Sequence, residues 1–216
     1  MRYALTTTVH PSVILDELDG PIALGANVYV HHSVTLIGPL EIGDDVTIYP
    51  GAIIGTPPEH RTEKGQGIIR IGARTTIREL VVIQRGTGER DTTIGEDCYL
   101  MHGAHVAHDC VLGDGVTLSP RVVLGGHTRV HRGATLGIGA MTHQRSTIGA
   151  FAMVGMGSVV TRDVPPGFVG VGSPARFLRM NDAALKDMSW PDLLAAFFAD
   201  SRRARVESPT PWGGAL

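Results

Sequence analysis

The chain has 216 residues, 28 of them glycine, with aromatic residues at only 5%. Nineteen Lys and Arg against 21 Asp and Glu give a net charge of −2, which excludes a general electrostatic case for binding nucleic acid or a membrane surface. Two cysteines, no signal-like N-terminus and no apolar run near the ~20 residues that span a bilayer point to a reducing cytoplasm and to no membrane span. A chain of this length makes one domain with a small appendage and buries a core without metal or disulfide staples.

Counting in sixes from Leu24 gives Val30, Leu36, Ile42, Ile48 and Ile54, all aliphatic. The register leaves at Thr56–Gly67 (TPPEHRTEKGQG), returns at Ile71, Ile77 and Ile83, and leaves again at Gln84–Thr93 (QRGTGERDTT). Both interruptions are polar and rich in Gly or Pro, so they are expected to be loops projecting from the scaffold and carrying a binding role. A longer register then runs Ile94, Leu100, Val106, Leu112, Leu118, Leu124, Val130, Leu136, Thr142, Ile148, Val154 and Val160, with Thr142 its one non-aliphatic member. Four residues after each lies a mostly small companion, among them Cys98, Ala104, Cys110, Thr128, Ala134 and Ser158.

A helix requires a 3.6 period and a half-buried strand a period of 2. Period 6 fits a parallel β-helix of hexapeptide repeats, an all-β fold in which each six-residue unit forms one face of a triangular coil and 18 residues complete a turn. The large aliphatic points inward, and glycine or asparagine turns the corners. Cys98 and Cys110, two-thirds of a coil apart, are expected to be buried packing residues and not a disulfide. Val164-Pro165-Pro166-Gly167 closes the last coil. A capping box at Ser189-Trp190-Pro191-Asp192 starts a helix with the apolar stripe Trp190, Leu193, Leu194, Phe197 and Phe198. A shorter helix from about Asn181 precedes it, and the tail from about Val206 reads as disordered. The expected organisation is a β-helix over 1–175 and a helical extension with its tail over 176–216.

Six of the ten histidines, His102, His105, His108, His127, His131 and His143, fall within 42 residues. Residues 18 apart stack in successive coils, so His108, Gly126 and Gln144 form one column on one face, over about 10 Å. Asp109, His127 and Arg145 form the adjacent column. A neutral imidazole takes a proton from an acceptor hydroxyl or amine near pH 7, and a neighbouring carboxylate fixes its tautomer. A glycine admits close approach of a thioester, and its N–H can bind a developing oxyanion. With no Ser or Cys nucleophile indicated, direct attack by the acceptor is preferred. The catalytic candidates are therefore His108, Asp109 and Gly126.

The segment Gly103-Ala104-His105-Val106-Ala107-His108-Asp109-Cys110 strongly resembles the signature of the acyl-[acyl carrier protein]–UDP-N-acetylglucosamine O-acyltransferases of lipid A synthesis. The likeness continues through Ile77-Arg78-Glu79, Gln84-Arg85-Gly86-Thr87, Gly125-Gly126-His127, His143-Gln144 and Asp163-Val164-Pro165-Pro166. The resemblance implies a left-handed β-helix, a homotrimer with a groove between two subunits, His108 as general base oriented by Asp109, and Gly126 as the oxyanion donor. It also implies that His105, His127, His143 and Gln144 line the groove for a nucleotide sugar and an acyl chain, with Arg85 beside them. Lys64 stands in for the Asp-Leu-Lys sequence that the family uses at the acceptor sugar. Gly172-Ser173-Pro174-Ala175-Arg176 looks instead like the closing segment of coenzyme A-dependent sugar acetyltransferases, which makes Arg176 a candidate for a coenzyme A phosphate. The donor is thus an acyl carrier protein or a coenzyme A thioester, with no tightly bound cofactor and no metal, and O- and N-acylation both stay open.

Two rivals share the fold. The γ-type carbonic anhydrases bind zinc through histidines at a subunit boundary, but the sequence lacks their paired His-x4-His arrangement. A non-catalytic scaffold is the other, and it predicts that replacing His108 changes no rate.

Overall fold

A computed structural model of the chain describes residues 2–62, 65–88, 90–182 and 189–206. Among these are 26 short strands, β1 (Arg2–Tyr3) to β26 (Arg176–Met180), and the helix α1 (Trp190–Val206). From β1 to β24 every third strand pairs in parallel, and with β25 and β26 added to one edge this gives three sheets of eight, ten and eight strands wrapped into a left-handed β-helix. Tyr99 pairs with Thr117, Thr117 with Thr135 and Thr135 with Met153, the 18-residue step expected of a three-faced coil. The inward column Leu100, Val106, Leu118, Leu124 and Leu136 is fully buried. Burying each such side chain contributes about 1.5–3 kcal/mol, and the repeat period is the spacing that stacks them.

The exception in that column, Thr142, is buried at 7% exposure beside Thr128 at 0%. Thr128 Oγ1 donates to the Gly125 carbonyl at 2.6 Å and lies 3.0 Å from Thr142 Oγ1, which accepts the Gly125 N–H at 3.2 Å. The two hydroxyls satisfy one another and hold the corner ahead of Gly126.

Glycine and asparagine turn some of the corners, as expected, with Asn27, Gly103, Gly115, Gly133, Gly139 and Gly157 in the left-handed region, but they are not the only residues there. The second corner residue takes a left-handed conformation, with φ +59° at Asp109, +60° at His127 and +64° at Arg145, but Leu80, Arg121 and Phe151 occupy such positions as well. The ladders on either side over-determine the turn, so glycine and asparagine are not required there. Elsewhere glycine is required by close approach: a Cβ on Gly113 would stand 2.7 Å from the Arg132 backbone nitrogen in the next coil.

His108, Gly126 and Gln144 also lie at a corner and not on a flat face, directly after β15 (His105–Val106), β18 (Val123–Leu124) and β21 (Met141–Thr142). The interruptions leave the coil where expected, because Ile54 pairs with Ile83 and Ile83 with Val106 across them. The second one does not project, however. Gln84, Arg85 and Thr87 are buried, and Gly67 and Gln66 donate backbone N–H bonds to Gly86 and Thr87, which ties the two loops together.

The expected boundary at 175/176 falls inside a hairpin. Arg176–Met180 is strand β26, antiparallel to β25 (Phe168–Val171), because the coil ends with its sheet edge still unpaired. α1 begins where the capping box places it, with Leu193 buried against Ala150, Phe151 and Met180 and Phe197 buried beside the His131 ring, while Phe198 is exposed. The shorter helix and the disordered tail fall on residues 183–188 and 207–216, which lie outside the described residues. Cys98 and Cys110 are free and buried, as their spacing implies.

Candidate active site

His108 and Asp109 are the two residues of the corner after β15, and the left-handed conformation of Asp109 turns its carboxylate back along the imidazole. His108 Nδ1–H donates to Asp109 Oδ2 at 2.6 Å. The imidazole is 12% exposed and the carboxylate fully buried. Asp109 Oδ1 accepts from the Thr87 backbone N–H at 3.1 Å and from Thr87 Oγ1 at 3.2 Å, and the Asp109 N–H donates to Thr92 Oγ1 at 2.9 Å. Gln84 Oε1 accepts the His108 N–H at 3.3 Å. Burial raises the pKa of Asp109, but the hydrogen bonds from His108 and Thr87 and the charges of His127 and His108 outweigh it and hold the carboxyl below its ordinary value. The carboxylate is therefore ionised, and it fixes the proton of His108 on Nδ1.

That assignment leaves Nε2 as the lone-pair nitrogen, and Nε2 faces Gly126. A Cβ on Gly126 would lie 2.7 Å from His108 Nε2 and 2.7 Å from Cε1, so only glycine fits beside the ring. Among the described residues the Gly126 N–H makes no hydrogen bond. A basic nitrogen and an uncommitted amide thus stand side by side, Gly126 buried and the imidazole barely exposed, the pair that proton abstraction and oxyanion binding require.

His127 comes to the same place, with its ring 5.1 Å from that of His108 at 87° and Nε2 3.7 Å from Asp109 Oδ2. His105, half-buried on β15, has its pKa pushed down by burial, with Glu59 pulling the other way. His143 and Gln144 lie one coil beyond Gly126 on the same edge. Both are exposed, and the His143 Nδ1–H donates to the Gln144 carbonyl at 3.1 Å.

Two expected residues, Arg85 and Arg176, are not brought to His108. Lys64 lies outside the described residues. Arg85 is 3% exposed, and its guanidinium is engaged by the Gly38 carbonyl at 3.0 Å and by Asp19, towards the N-terminal coils. It is a strut between coils, because the loop after β12 (Val82–Gln84) folds inward instead of projecting. Arg176 is exposed at the far end of the prism. In exchange, the first loop supplies His60, whose ring centroid is 6.2 Å from that of His108. His60 Nδ1 accepts the Thr62 N–H at 3.4 Å. Sequence reasoning also missed Gln84, Thr87 and Thr92 as supports, although Gln84 and Thr87 stand in one of the matching runs.

His108, Asp109 and His127 each offer an atom within 4.8 Å of the others and so would be a candidate metal group. The resting geometry does not suit an ion. A tetrahedral Zn²⁺ at 2.0–2.1 Å from its ligands keeps them about 3.3 Å apart, whereas His108 Nδ1 and Asp109 Oδ2 are 2.6 Å apart, a hydrogen-bond distance. Two concavities of about 310 and 290 Å³ lie elsewhere, one under the β25–β26 hairpin and one under α1, and neither includes His108. No described helix is long and apolar enough to cross a membrane.

The family model for bacterial transferase hexapeptide repeats (six repeats) matches residues 91–126. An acyl-[acyl-carrier-protein]–UDP-N-acetylglucosamine O-acyltransferase from Synechocystis is 38% identical over 187 residues, 85% of this chain and 67% of that protein. One from Chlamydia caviae is 44% identical over 202 residues, 86% of this chain and 72% of that protein, whereas the match to a Gloeothece citriformis relative spans only 56% of that protein. Among solved structures, LpxA from Acinetobacter baumannii superposes with a TM-score of 0.74 at 26% identity, over 91% of this chain and 82% of that one. A mutant perosamine N-acetyltransferase from Caulobacter crescentus, in complex with CoA and GDP-perosamine, gives 0.52 at 31% identity, over 62% of this chain and 56% of that one. The chain belongs to the acyl-[acyl-carrier-protein]–UDP-N-acetylglucosamine O-acyltransferase family and is an acyltransferase.

Proposed function

We propose that the chain moves an acyl group from a thioester carrier to a hydroxyl or amine of a nucleotide-sugar acceptor. The observation that carries this is the His108 ring, held by Asp109 at Nδ1 with Nε2 bare beside Gly126. Nε2 takes the proton as the acceptor's oxygen or nitrogen attacks the thioester carbonyl. The Gly126 N–H binds the oxyanion that develops, and Asp109 stabilises the imidazolium. As the tetrahedral intermediate collapses, the C–S bond breaks and His108 returns its proton to the departing sulfur, which leaves as a thiol. One new ester or amide bond replaces one thioester, and the base is regenerated.

His127 and His60 stand beside the His108 ring, His105 lies on the strand that precedes it, and His143 and Gln144 follow one coil on. An outward column from His105 through Val123 and Met141 to Val159 flanks the edge. Val123 and Met141 are 41% and 43% exposed, an apolar track suited to an acyl chain. Val123, Met141, His143 and Gln144 stand exposed along this edge of a single chain, which supports a homotrimer whose neighbouring copy closes the groove.

Thioester release assayed over a panel of nucleotide sugars, with acetyl, longer and 3-hydroxyacyl donors, tests the reading. Turnover that falls by about two to four orders of magnitude in His108→Ala, with the fold intact, is the expected outcome. No turnover with any nucleotide sugar overturns it.

A second reading, zinc-dependent hydration chemistry at His108, Asp109 and His127, has their proximity in its favour but requires the His108–Asp109 hydrogen bond to open for an ion. It predicts stoichiometric zinc after purification without added metal, together with carbon dioxide hydration. Metal-free protein with full transfer activity rejects it.

A further inference from the structure

We propose that Thr87 is a positioning residue of the transfer reaction: it settles which of two histidines the Asp109 carboxylate serves, and so makes His108 the base. This rests on the reaction proposed above, in which His108 takes the acceptor's proton. Two imidazoles stand within reach of one oxygen. Asp109 Oδ2 is 2.6 Å from His108 Nδ1 and 3.7 Å from His127 Nε2, and the two rings lie 5.1 Å apart at 87°. The torsion that turns an aspartate carboxylate about its Cβ–Cγ bond is broad and has no sharp rotamer of its own. A rotation towards His127 would therefore cost little, and would leave the His108 ring without the partner that keeps its proton on Nδ1. What holds the plane must be the partners of the other oxygen.

Thr87 supplies both of them. Its backbone N–H donates to Asp109 Oδ1 at 3.1 Å and its Oγ1 at 3.2 Å. Two donors from one residue pin Oδ1, and with Oδ1 pinned the carboxylate presents Oδ2 to His108. The main chain of Asp109 is held separately, because its N–H donates to Thr92 Oγ1 at 2.9 Å. Thr87 and Thr92 come from the two halves of the interruption Gln84–Thr93, so the inward fold of this loop grips Asp109 at both the carboxylate and the backbone. Thr87, Thr92 and Asp109 are all buried, and a hydroxyl removed there leaves a charged acceptor short of a donor.

The hydroxyl sits on a braced backbone. The Gln66 N–H donates to the Thr87 carbonyl at 3.2 Å, and the Gly67 N–H to the Gly86 carbonyl at 3.0 Å. Asp91 Oδ1 accepts the Ile68 N–H at 2.9 Å, which extends the tie between the two loops. Only glycine fits at position 86, since a Cβ there would strike the Arg90 carbonyl oxygen as the chain doubles back. Arg85, on the other side of Gly86, is anchored to the Gly38 carbonyl at 3.0 Å. Thr87 is thus held from the first loop and from the N-terminal coils, and it acts on the reaction only through Asp109.

Thr87→Val and Thr87→Ala both remove the hydroxyl, the first at nearly constant volume, and Thr87→Ser keeps it. Steady-state kinetics should show kcat down about tenfold or more in the valine and alanine variants, KM for donor and acceptor within about twofold, and most of the rate recovered in the serine variant. Independently of turnover, NMR of the ¹⁵N-histidine-labelled chain at about pH 8, where imidazoles are neutral, reads the tautomer directly. His108, assigned by the signals lost in His108→Gln, should carry its proton on Nδ1 in wild type and Thr87→Ser, and show mixed tautomers in Thr87→Val and Thr87→Ala. Thr87→Val should add almost nothing to Asp109→Asn. A His108 tautomer indifferent to the hydroxyl overturns the proposal, as does a rate loss that serine fails to recover or that adds in full to Asp109→Asn. If His108 changes tautomer with Thr87 in a chain that acylates no nucleotide sugar, the positioning stands and the transfer reading falls.

Discussion

The imidazole of His108 is gripped on one side and bare on the other: Nδ1 lies 2.6 Å from Asp109 Oδ2, while Nε2 stands 2.7 Å from the point where a side chain on Gly126 would begin. A general base needs that asymmetry, because one nitrogen must keep its proton for the other to accept one.

Asp109→Asn should therefore lower kcat by about 10²–10⁴ with little change in acceptor KM, and adding it to His108→Ala should cost almost nothing further, since the two act as a unit. It should also change the acid stability. The carboxyl of Asp109 is held below its ordinary value. Its contribution is therefore complete above the unfolded pKa of about 3.9 and is lost as pH falls through the lower folded value. Denaturant melts of wild type and Asp109→Asn should differ at pH 7 and converge as pH drops below about 4. A constant gap across that range would show that the carboxylate is not the source.

Gly126→Ala and Gly139→Ala separate activity from stability. At Gly126 a methyl meets the His108 ring at 2.7 Å, whereas at Gly139 a methyl meets nothing within 4 Å but must adopt φ +65°. The first should displace the base and cut kcat about a hundredfold or more with a near-normal melting temperature. The second should leave kcat alone and cost about 1 kcal/mol of stability. Activity assays alongside thermal melts distinguish them.

Repetition made the scaffold legible, because one six-residue pattern dictates the same inward column many times over, and the pairing of Ile54 with Ile83 across an interruption follows from it. The same arithmetic put His108 beside Gly126. It failed where the period stops. Whether the loop holding Arg85 points outward or folds in depends on Thr87 finding Asp109 and on Gly67 finding Gly86, contacts with no periodic signature. His60 reaches His108 for the same kind of reason, from a loop whose path only the folded chain defines. The pattern places Arg176 in an extension, because nothing in it announces an antiparallel strand laid on the end of a parallel coil.

Thr142, the one break in the inward column, should affect the reaction more than the fold. Its hydroxyl accepts the Gly125 N–H at 3.2 Å and pairs with Thr128 at 3.0 Å, next to the amide assigned to the oxyanion. Thr142→Val restores the aliphatic pattern at similar volume, so the change in stability should stay within about 1–2 kcal/mol. If the pair positions Gly126, kcat should fall about tenfold with acceptor KM unchanged, and Thr142→Ser should recover most of it. Equal kinetics in Thr142→Val would make the hydroxyls a packing detail.

The two thiols should be inert in the folded chain. Burial pushes Cys98 up to about 11 and Cys110 up to about 12. At pH 8 the thiolate fractions are then roughly a thousandth and a ten-thousandth. Iodoacetamide should label neither within hours under native conditions and both within minutes in denaturant. Fast native labelling at either position would contradict their burial in the prism.

Arg85 tests whether a buried strut was mistaken for a substrate contact. Its side chain is 4% exposed and joins the loop after β12 to the Gly38 carbonyl two coils away and to Asp19 three coils away. Arg85→Ala removes the stem from the core and leaves Gly38 without its donor, at a cost of about 2–3 kcal/mol, less than for a fully buried pair because Asp19 itself is 57% exposed. In a chain of this size that lowers the melting temperature by roughly 4–12 °C. Assayed well below that temperature, kcat/KM for the acceptor should stay within about threefold of wild type, whereas loss of a direct charged contact to a phosphate would reduce it about tenfold or more. A large KM effect with an unchanged melting temperature would return Arg85 to the groove.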